Sequence, residues 1–309
     1  MSCVAGIDIS KRYLDCCIPA CSQEFRVGND SSGLAQLVTR LLEAGVERVL
    51  IEATGGYEKR LREALVQTGV ETICINPARA RRYAEAIGME VKTDKIDARV
   101  LADFAATLKA CKSTPFSLER DEMSELVKQR DCFVQQRDDE KRRRKQAELA
   151  AVVESYQAHI DFLNTQIRAL DKAIAQAMKA LNDLMARRLM AVKGIGLITT
   201  ANLLCYLPEL GTLTKRQVAR LAGLAPLNRD SGDSVKPRHI KGGRWRVRRA
   251  VYMSTWVIIR HDAGFRAKYD DLRQRGKAAK VAIVACMRVL ITRLNAMLRD
   301  GTEWRSEPR

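Results

Sequence analysis

The chain has 309 residues, 46% of them hydrophobic, and carries 54 Lys and Arg against 37 Asp and Glu, a formal charge of +17. That hydrophobic content excludes a disordered chain, and the length suits two domains or one domain with extensions. The positive excess makes a polyanion the economical partner, with an acidic membrane surface as the rival. No uninterrupted apolar run reaches about 18 residues, and the N-terminus lacks a basic stretch followed by an apolar one. A soluble cytoplasmic protein with no membrane partner is therefore expected. Nine cysteines are scattered without a C-x-x-C pair, and three histidines occur. The thiols read as small apolar residues in a reducing compartment. Any bound metal would need carboxylate ligands, which points to Mg²⁺ or Mn²⁺.

Val4–Ile9 reads as a buried strand, and Tyr13–Ile18 and Glu24–Val27 follow closely enough for an antiparallel meander. Ser31–Ala44 has helical spacing behind an Asp30/Ser31 cap. Strand Arg48–Glu52, helix Tyr57–Thr68, strand Glu71–Ile75 and helix Pro77–Ile87 come next. Hairpin-like strands followed by α/β units predict a mixed sheet with helices on its faces, the order of an RNase H-like fold. From about Ser117 to Gly194 the chain has no Gly or Pro, and residues 135–146 have no apolar side chain. Leu149, Val153, Tyr156, Ile160, Leu163, Ile167, Leu170, Ile174, Ala177, Leu181 and Leu184 then alternate in steps of four and three. This a/d seam predicts a coiled coil, within a helical hairpin or between subunits. The last third reads as helical and basic, with a loop at Pro226–Gly243 and an apolar helix over Lys277–Leu298.

Three places could carry carboxylate chemistry. Asp8 interrupts the apolar strand VAGIDI, where a carboxylate is costly to desolvate unless paired or metal-bound; capping a turn with Ser10 is the plainer role. Glu52 ends the strand RVLIEA just before the turn Thr54-Gly55-Gly56, at the strand end where open α/β sheets bind ligands, although surface Glu residues are common there. Asp94 and Asp97 in KTDKIDARVLA are three apart on a helical turn and share a face; interaction with the helix dipole is the alternative. Strand-Asp, strand-Glu and helix-Asp-x-x-Asp in this order repeat the layout of a two-metal nuclease site, where several carboxylates neutralise the ions.

Two further segments point to phosphate. Lys193, Gly194 and Gly196 lie in a turn resembling a helix-hairpin-helix, which offers backbone N–H groups to DNA, or in an ordinary helix-helix turn. From Ser234 to His261 there is no acidic residue, while Lys236, Arg238, Lys241, Arg244, Arg246, Arg248 and Arg249 are cationic. Trp245 among them offers a stacking surface, and phosphate binding outweighs a merely solvated basic face. Ser231 sits in a turn beside this patch, where next to a phosphodiester it could act as a nucleophile.

GIDISK, IEATGGYE, KTDKIDARVLA, VKGIG, GLAPLNRDSG and GGRWRVRRAVYMS, in that order, span nearly the whole chain. Together they resemble the DEDD transposases of the insertion-sequence family numbered one hundred and ten, which includes bridge-RNA-guided recombinases and DNA invertases. The resemblance implies a RuvC-like α/β domain over residues 1–115, whose Asp8, Glu52, Asp94 and Asp97 are catalytic and bind Mg²⁺. It implies a coiled-coil dimerisation region over 116–186 and a mainly helical DNA-binding domain over 187–309. Its serine nucleophile by motif is Ser231, with Ser234 the alternative. It further implies donor and target DNA as partners, a structured noncoding guide RNA, dimers assembling into tetramers, and work at the nucleoid of a bacterium or archaeon. The expected activity is cutting and rejoining of DNA. A junction-resolving nuclease that uses water, and a non-catalytic nucleic-acid scaffold, are the alternatives.

Overall fold

A computed structural model describes residues 3–89, 94–108, 117–181, 183–227 and 239–305, the side chains of 94–96 excepted. The chain divides into two compact units, 1–116 and 117–309.

The first unit is built on five strands, β1 (Val4–Ile9), β2 (Tyr13–Ile18), β3 (Gln23–Gly28), β4 (Arg48–Glu52) and β5 (Glu71–Ile75). They lie in the order β3-β2-β1-β4-β5. The first three form an antiparallel meander, and β4 and β5 run parallel to β1. This is the mixed sheet anticipated, and four of the strands keep the boundaries read from sequence. Helix α1 (Ser31–Glu43) starts where the Asp30 side chain accepts from Gly33 N. Helix α2 (Lys59–Val66) is shorter than its pattern suggests. The reason is Glu58, whose carboxylate folds back to accept from Thr54 N, Thr54 Oγ1 and Gly56 N and holds Ala53–Glu58 as a loop. Both helices cover one face, where Leu37, Leu41, Leu61 and Leu65 pack on Ala5, Ile7, Val49 and Ile51. The opposite face takes α3 (Pro77–Ala86) and α4 (Asp94–Thr107), with Ala80, Leu101 and Ala105 against Val4, Leu50, Ile73 and Ile75.

The second unit is almost wholly helical. Helices α5 (Leu118–Arg144) and α6 (Ala150–Leu181) run antiparallel: Arg130 pairs with Asp171 and Arg144 with Gln157, so partners move in opposite directions along the two helices. Ile160, Leu163, Ile167 and Ile174 of the heptad seam are buried in this intrachain hairpin. The seam does not run its full predicted length. Leu149 precedes α6 and is 68% exposed. Leu184 begins a separate helix, α7 (Leu184–Met190), because the Asp183 side chain accepts from Met185 N and starts a new cap.

Helices α8 (Leu197–Tyr206), α9 (Lys215–Leu221), α10 (Trp245–His261), α11 (Ala263–Gln274) and α12 (Ala279–Asp300) complete the unit, with a short pair of strands, β6 (Pro226–Leu227) and β7 (His239–Ile240). The hairpin belongs to this unit because Met123, Val127, Ile174 and Met178 share one apolar cluster with Ala201 and Leu204 of α8. Helix α12 has the length and hydropathy of a membrane span. Its Ile283, Met287, Leu290, Ile291 and Leu294 instead form the centre of the main core with Val247, Val251 and Ile258 of α10.

Burial raises the thiol of Cys17 to about 11 and that of Cys205 to about 12, and desolvation also pushes Cys16 up. A raised thiol pKa leaves less thiolate at any working pH, and the thiolate is the nucleophile. Alkylation of the native protein at mildly alkaline pH, read by peptide mass, is therefore expected to label exposed Cys21, Cys74 and Cys132 first. Equal labelling of Cys16 and Cys17 would contradict the packing described.

Candidate active site

Strand alternation assigns each residue of β1 and β4 to a face. Ala5, Ile7 and Ile9 face α1 and α2, as do Val49 and Ile51. Asp8 and Glu52 therefore stand on the other face, the one covered by α4. The parallel register pairs Ile7 with Ile51, so Asp8 and Glu52, one step further along, are neighbours on strands about 4.8 Å apart. Both are partly exposed at the carboxyl ends of their strands.

Helix α4 is pressed onto this face at Gly6. A Cβ built there would lie 2.2 Å from Ala98 O and 2.3 Å from Ala102 N, both backbone atoms. Only glycine permits that approach. The far end of α4 is tied to the start of β4, where Arg48 Nη1 donates to Leu108 O and its Nε to Glu71. The helix therefore runs against the direction of β1 and β4, and its N-terminal turn lies toward their carboxyl ends. Asp97 sits in that turn beside Ala98, at the end of the sheet occupied by Asp8 and Glu52. Asp94 opens the helix, and its side chain lies outside the described residues.

One carboxylate in this row escaped the sequence reading. Asp15 on β2 is directly opposite Asp8 and is 5% exposed. Like charges opposed across strands repel, and here Asp15 is neutralised by Arg26, its own opposite on β3, through bonds of 2.9 and 2.8 Å. The level across the sheet thus reads Arg26, Asp15, Asp8, Glu52. The alternation of YLDCCI hints at an inward Asp15, but its position beside Asp8 follows only from the pairing of β1 and β2. Arg99 of α4 also pairs with Glu24 of β3, which anchors the helix across the meander.

Among the described residues, no three His, Cys, Asp or Glu side chains converge as a metal site. The side chains that the strand pairing and helix direction bring to this end are all carboxylates, the donor type that a hard divalent cation takes. In that chemical sense Asp8, Glu52 and Asp97 fit such an ion.

In the second unit, Gly194 turns the chain between α7 and α8 with φ 99°, and Ile258 of α10 packs against it. Gly196 is the exposed N-cap of α8, and Lys193 is exposed beside it. Lys241, Trp245 and Arg249 are also exposed. The basic segment is less uncompensated than its sequence suggests. Arg244 donates two hydrogen bonds to the Glu209 carboxylate, at 2.5 and 2.6 Å, and also reaches Tyr206 O. Arg246 pairs with Asp131 and lies over the rings of Tyr206 and Trp245. Arg248 donates to Gly242 O and Gly223 O. The Gly242-Gly243 loop is held backbone-to-backbone: a Cβ on Gly243 would meet Gly223 N at 2.2 Å, and Arg244 N donates to Leu221 O. This contact clamps the base of the β6–β7 pair. Ser231, Ser234, Lys236 and Arg238 lie outside the described residues, between Leu227 and His239.

Two family models match the chain, one described as a DEDD transposase over residues 5–148 and one as "Transposase IS116/IS110/IS902 family" over 186–270. The chain is 30% identical to the pilin gene-inverting protein of Moraxella bovis over 310 aligned residues, covering 96% of this chain and 95% of that one. Its counterpart from Moraxella lacunata is 29% identical over the same shares. An uncharacterized 43.6 kDa protein of insertion element IS110 from Streptomyces coelicolor is 34% identical over 51% of this chain and 39% of its own length. The molecule is thus of the transposase and recombinase class, and its substrate is DNA. Within that class, it belongs to the IS110 transposase family.

Gly6→Ala is expected to lower stability by about 1–3 kcal/mol or more, because backbone of α4 must move rather than a flexible side chain. The midpoint of denaturant unfolding measures it, and an unchanged midpoint would mean that α4 does not pack on β1 as described. Glu209→Ala should loosen the Gly242-Gly243 loop while leaving the first unit intact, which proteolysis around residue 243 would report.

Proposed function

We propose that this transposase cuts and rejoins DNA through a serine nucleophile, Ser231 with Ser234 the alternative, together with Asp8, Glu52, Asp94 and Asp97 as holders of Mg²⁺ or Mn²⁺. The observation that carries this reading is the register of β1 with β4, which seats Asp8 beside Glu52 on the face under α4, at the end where Asp97 lies. The strand order β3-β2-β1-β4-β5 supports an RNase H-like, RuvC-like classification of the first unit. A divalent cation held there would neutralise charge on the scissile phosphate and activate the reacting oxygens.

The chain's own groups do the rest. The serine Oγ forms a bond to phosphorus while one bond from phosphorus to a deoxyribose oxygen breaks. The phosphoserine ester conserves the bond energy, so rejoining needs no high-energy cofactor. Lys241, Arg248 and Arg249 take the flanking phosphates; Lys193 and the amides near Gly194 and Gly196 hold backbone further along the duplex. Arg244 and Arg246 shape the loop through Glu209 and Asp131 as much as they touch DNA. The full-length similarity to two pilin gene-inverting proteins favours inversion of a DNA segment as the outcome. Family resemblance supports a structured noncoding guide RNA, a dimer formed through the helical hairpin and assembling into a tetramer, and work on the nucleoid. In that assembly the carboxylates of one subunit serve the serine of another.

The protein, Mg²⁺, copurifying RNA and end-labelled DNA should yield a protein–DNA adduct that survives denaturation. Ser231→Ala should abolish it. Asp8→Asn should reduce it by more than the roughly 10–100-fold that loss of an outer-shell partner costs a metal site. Metal-dependent cutting with no adduct, unaffected by Ser231→Ala and Ser234→Ala, would replace the serine mechanism with a water-using nuclease.

A further inference from the structure

A groove of about 1100 Å³ crosses the second unit among α9, α10, α11, α12 and the β6–β7 pair. Its rim carries Lys215 and Arg216 from α9, Lys268 from α11, and Lys280 and Arg288 from α12, all exposed. Among the described residues, no carboxylate lines it. Unlike Arg244 and Arg246, these five form no ion pair among the described residues. Their charge is therefore unspent, and it calls for a polyanion.

The floor narrows the choice of polyanion. It is apolar, formed by Ile283, Val284 and Met287 with Val281, which is 54% exposed. On one wall stand Trp245, 53% exposed, and Tyr252, 40% exposed. Seven residues apart on α10, they share a face and are separated by two turns, about 10 Å along the helix. A duplex offers phosphates and groove edges but keeps its base faces stacked, which would leave this floor wet. A single strand offers phosphates and aromatic faces together, and a cationic groove with ring platforms is the surface that suits it.

The lining also includes Pro226, His239 and Ile240, the stem from which the segment holding Ser231 departs and to which it returns. We infer that the groove holds a single DNA strand, its bases unstacked onto Trp245 and Tyr252 and its phosphates on the five rim cations. The identity of the strand rests on the serine reading above: it is the strand opened beside the nucleophile. Among the described residues no carboxylate lines the groove to repel it, and the helices that form the groove also form the main core.

The test uses the full chain as Ser231→Ala, without divalent metal, and a short labelled oligothymidylate. Binding should quench tryptophan fluorescence, and Trp245→Phe should remove the quench although Trp256 and Trp304 remain. Tyr252→Ala should weaken binding at least about fivefold. Lys280→Glu with Arg288→Glu should flatten the dependence of log affinity on log salt by roughly 0.7 for each phosphate that is no longer neutralised. Each variant must first show the parent's thermal unfolding. A quench that survives Trp245→Phe, an affinity unmoved by Tyr252→Ala, or equal competition from duplex DNA would overturn the inference. Preference for oligouridylate over oligothymidylate would overturn it too, by making the occupant RNA. Because no covalent step is involved, groove binding without any adduct in the parent protein would sink the serine reading alone. Adduct formation without groove binding would sink the groove alone.

Discussion

The first unit depends on the contact between Gly6 and the backbone of α4. A helix normally rests about a side chain's thickness above a sheet. Here the missing Cβ lets Ala98 and Ala102 reach the strand itself, with Cys17 on β2 packed against both alanines. This close seating lowers the N-terminal turn of α4 toward the carboxyl ends of β1 and β4. Without it, the turn that carries Asp97 would stand further above the sheet. Arg48 and Arg99 then pin the helix at its two ends, one through Leu108 O and one through Glu24.

That arrangement concentrates negative charge, and the fold limits the consequence. Asp15 is buried opposite Asp8, where a carboxylate without a counter-charge would oppose folding. Arg26 pairs with it through both oxygens, which balances the Asp15 charge within the sheet.

The second unit solves the opposite electrostatic problem. A long segment without acidic residues would repel itself, yet three of its arginines, Arg244, Arg246 and Arg249, are matched by Glu209 and Asp131, which lie far away in sequence. Those pairs fasten the Gly242-Gly243 loop to the connection between α8 and α9, and α10 to the helical hairpin. The rim cations of the groove come instead from α9, α11 and α12, and membership of the IS110 family gives the protein a DNA substrate.

Much of this was legible in the chain by itself, for reasons of short range. The apolar runs in VAGIDI and RVLIEA, the cap at Asp30, and the apolar spacing of α6 and α12 act within a few residues, so most strand and helix boundaries emerged from pattern. The six motifs in their order carried the family. Tertiary structure decided what required two distant segments to meet. It placed Asp15 beside Asp8 through the pairing of two strands, and seated α4 on Gly6 because only there does backbone meet backbone. It assigned Arg244 and Arg246 to Glu209 and Asp131, and folded the heptad seam back onto α5 within the chain until Asp183 ended it. Local sequence specifies which residues can face one another; closure of the chain into a core selects the ones that do, because burial of apolar surface is indifferent to sequence separation.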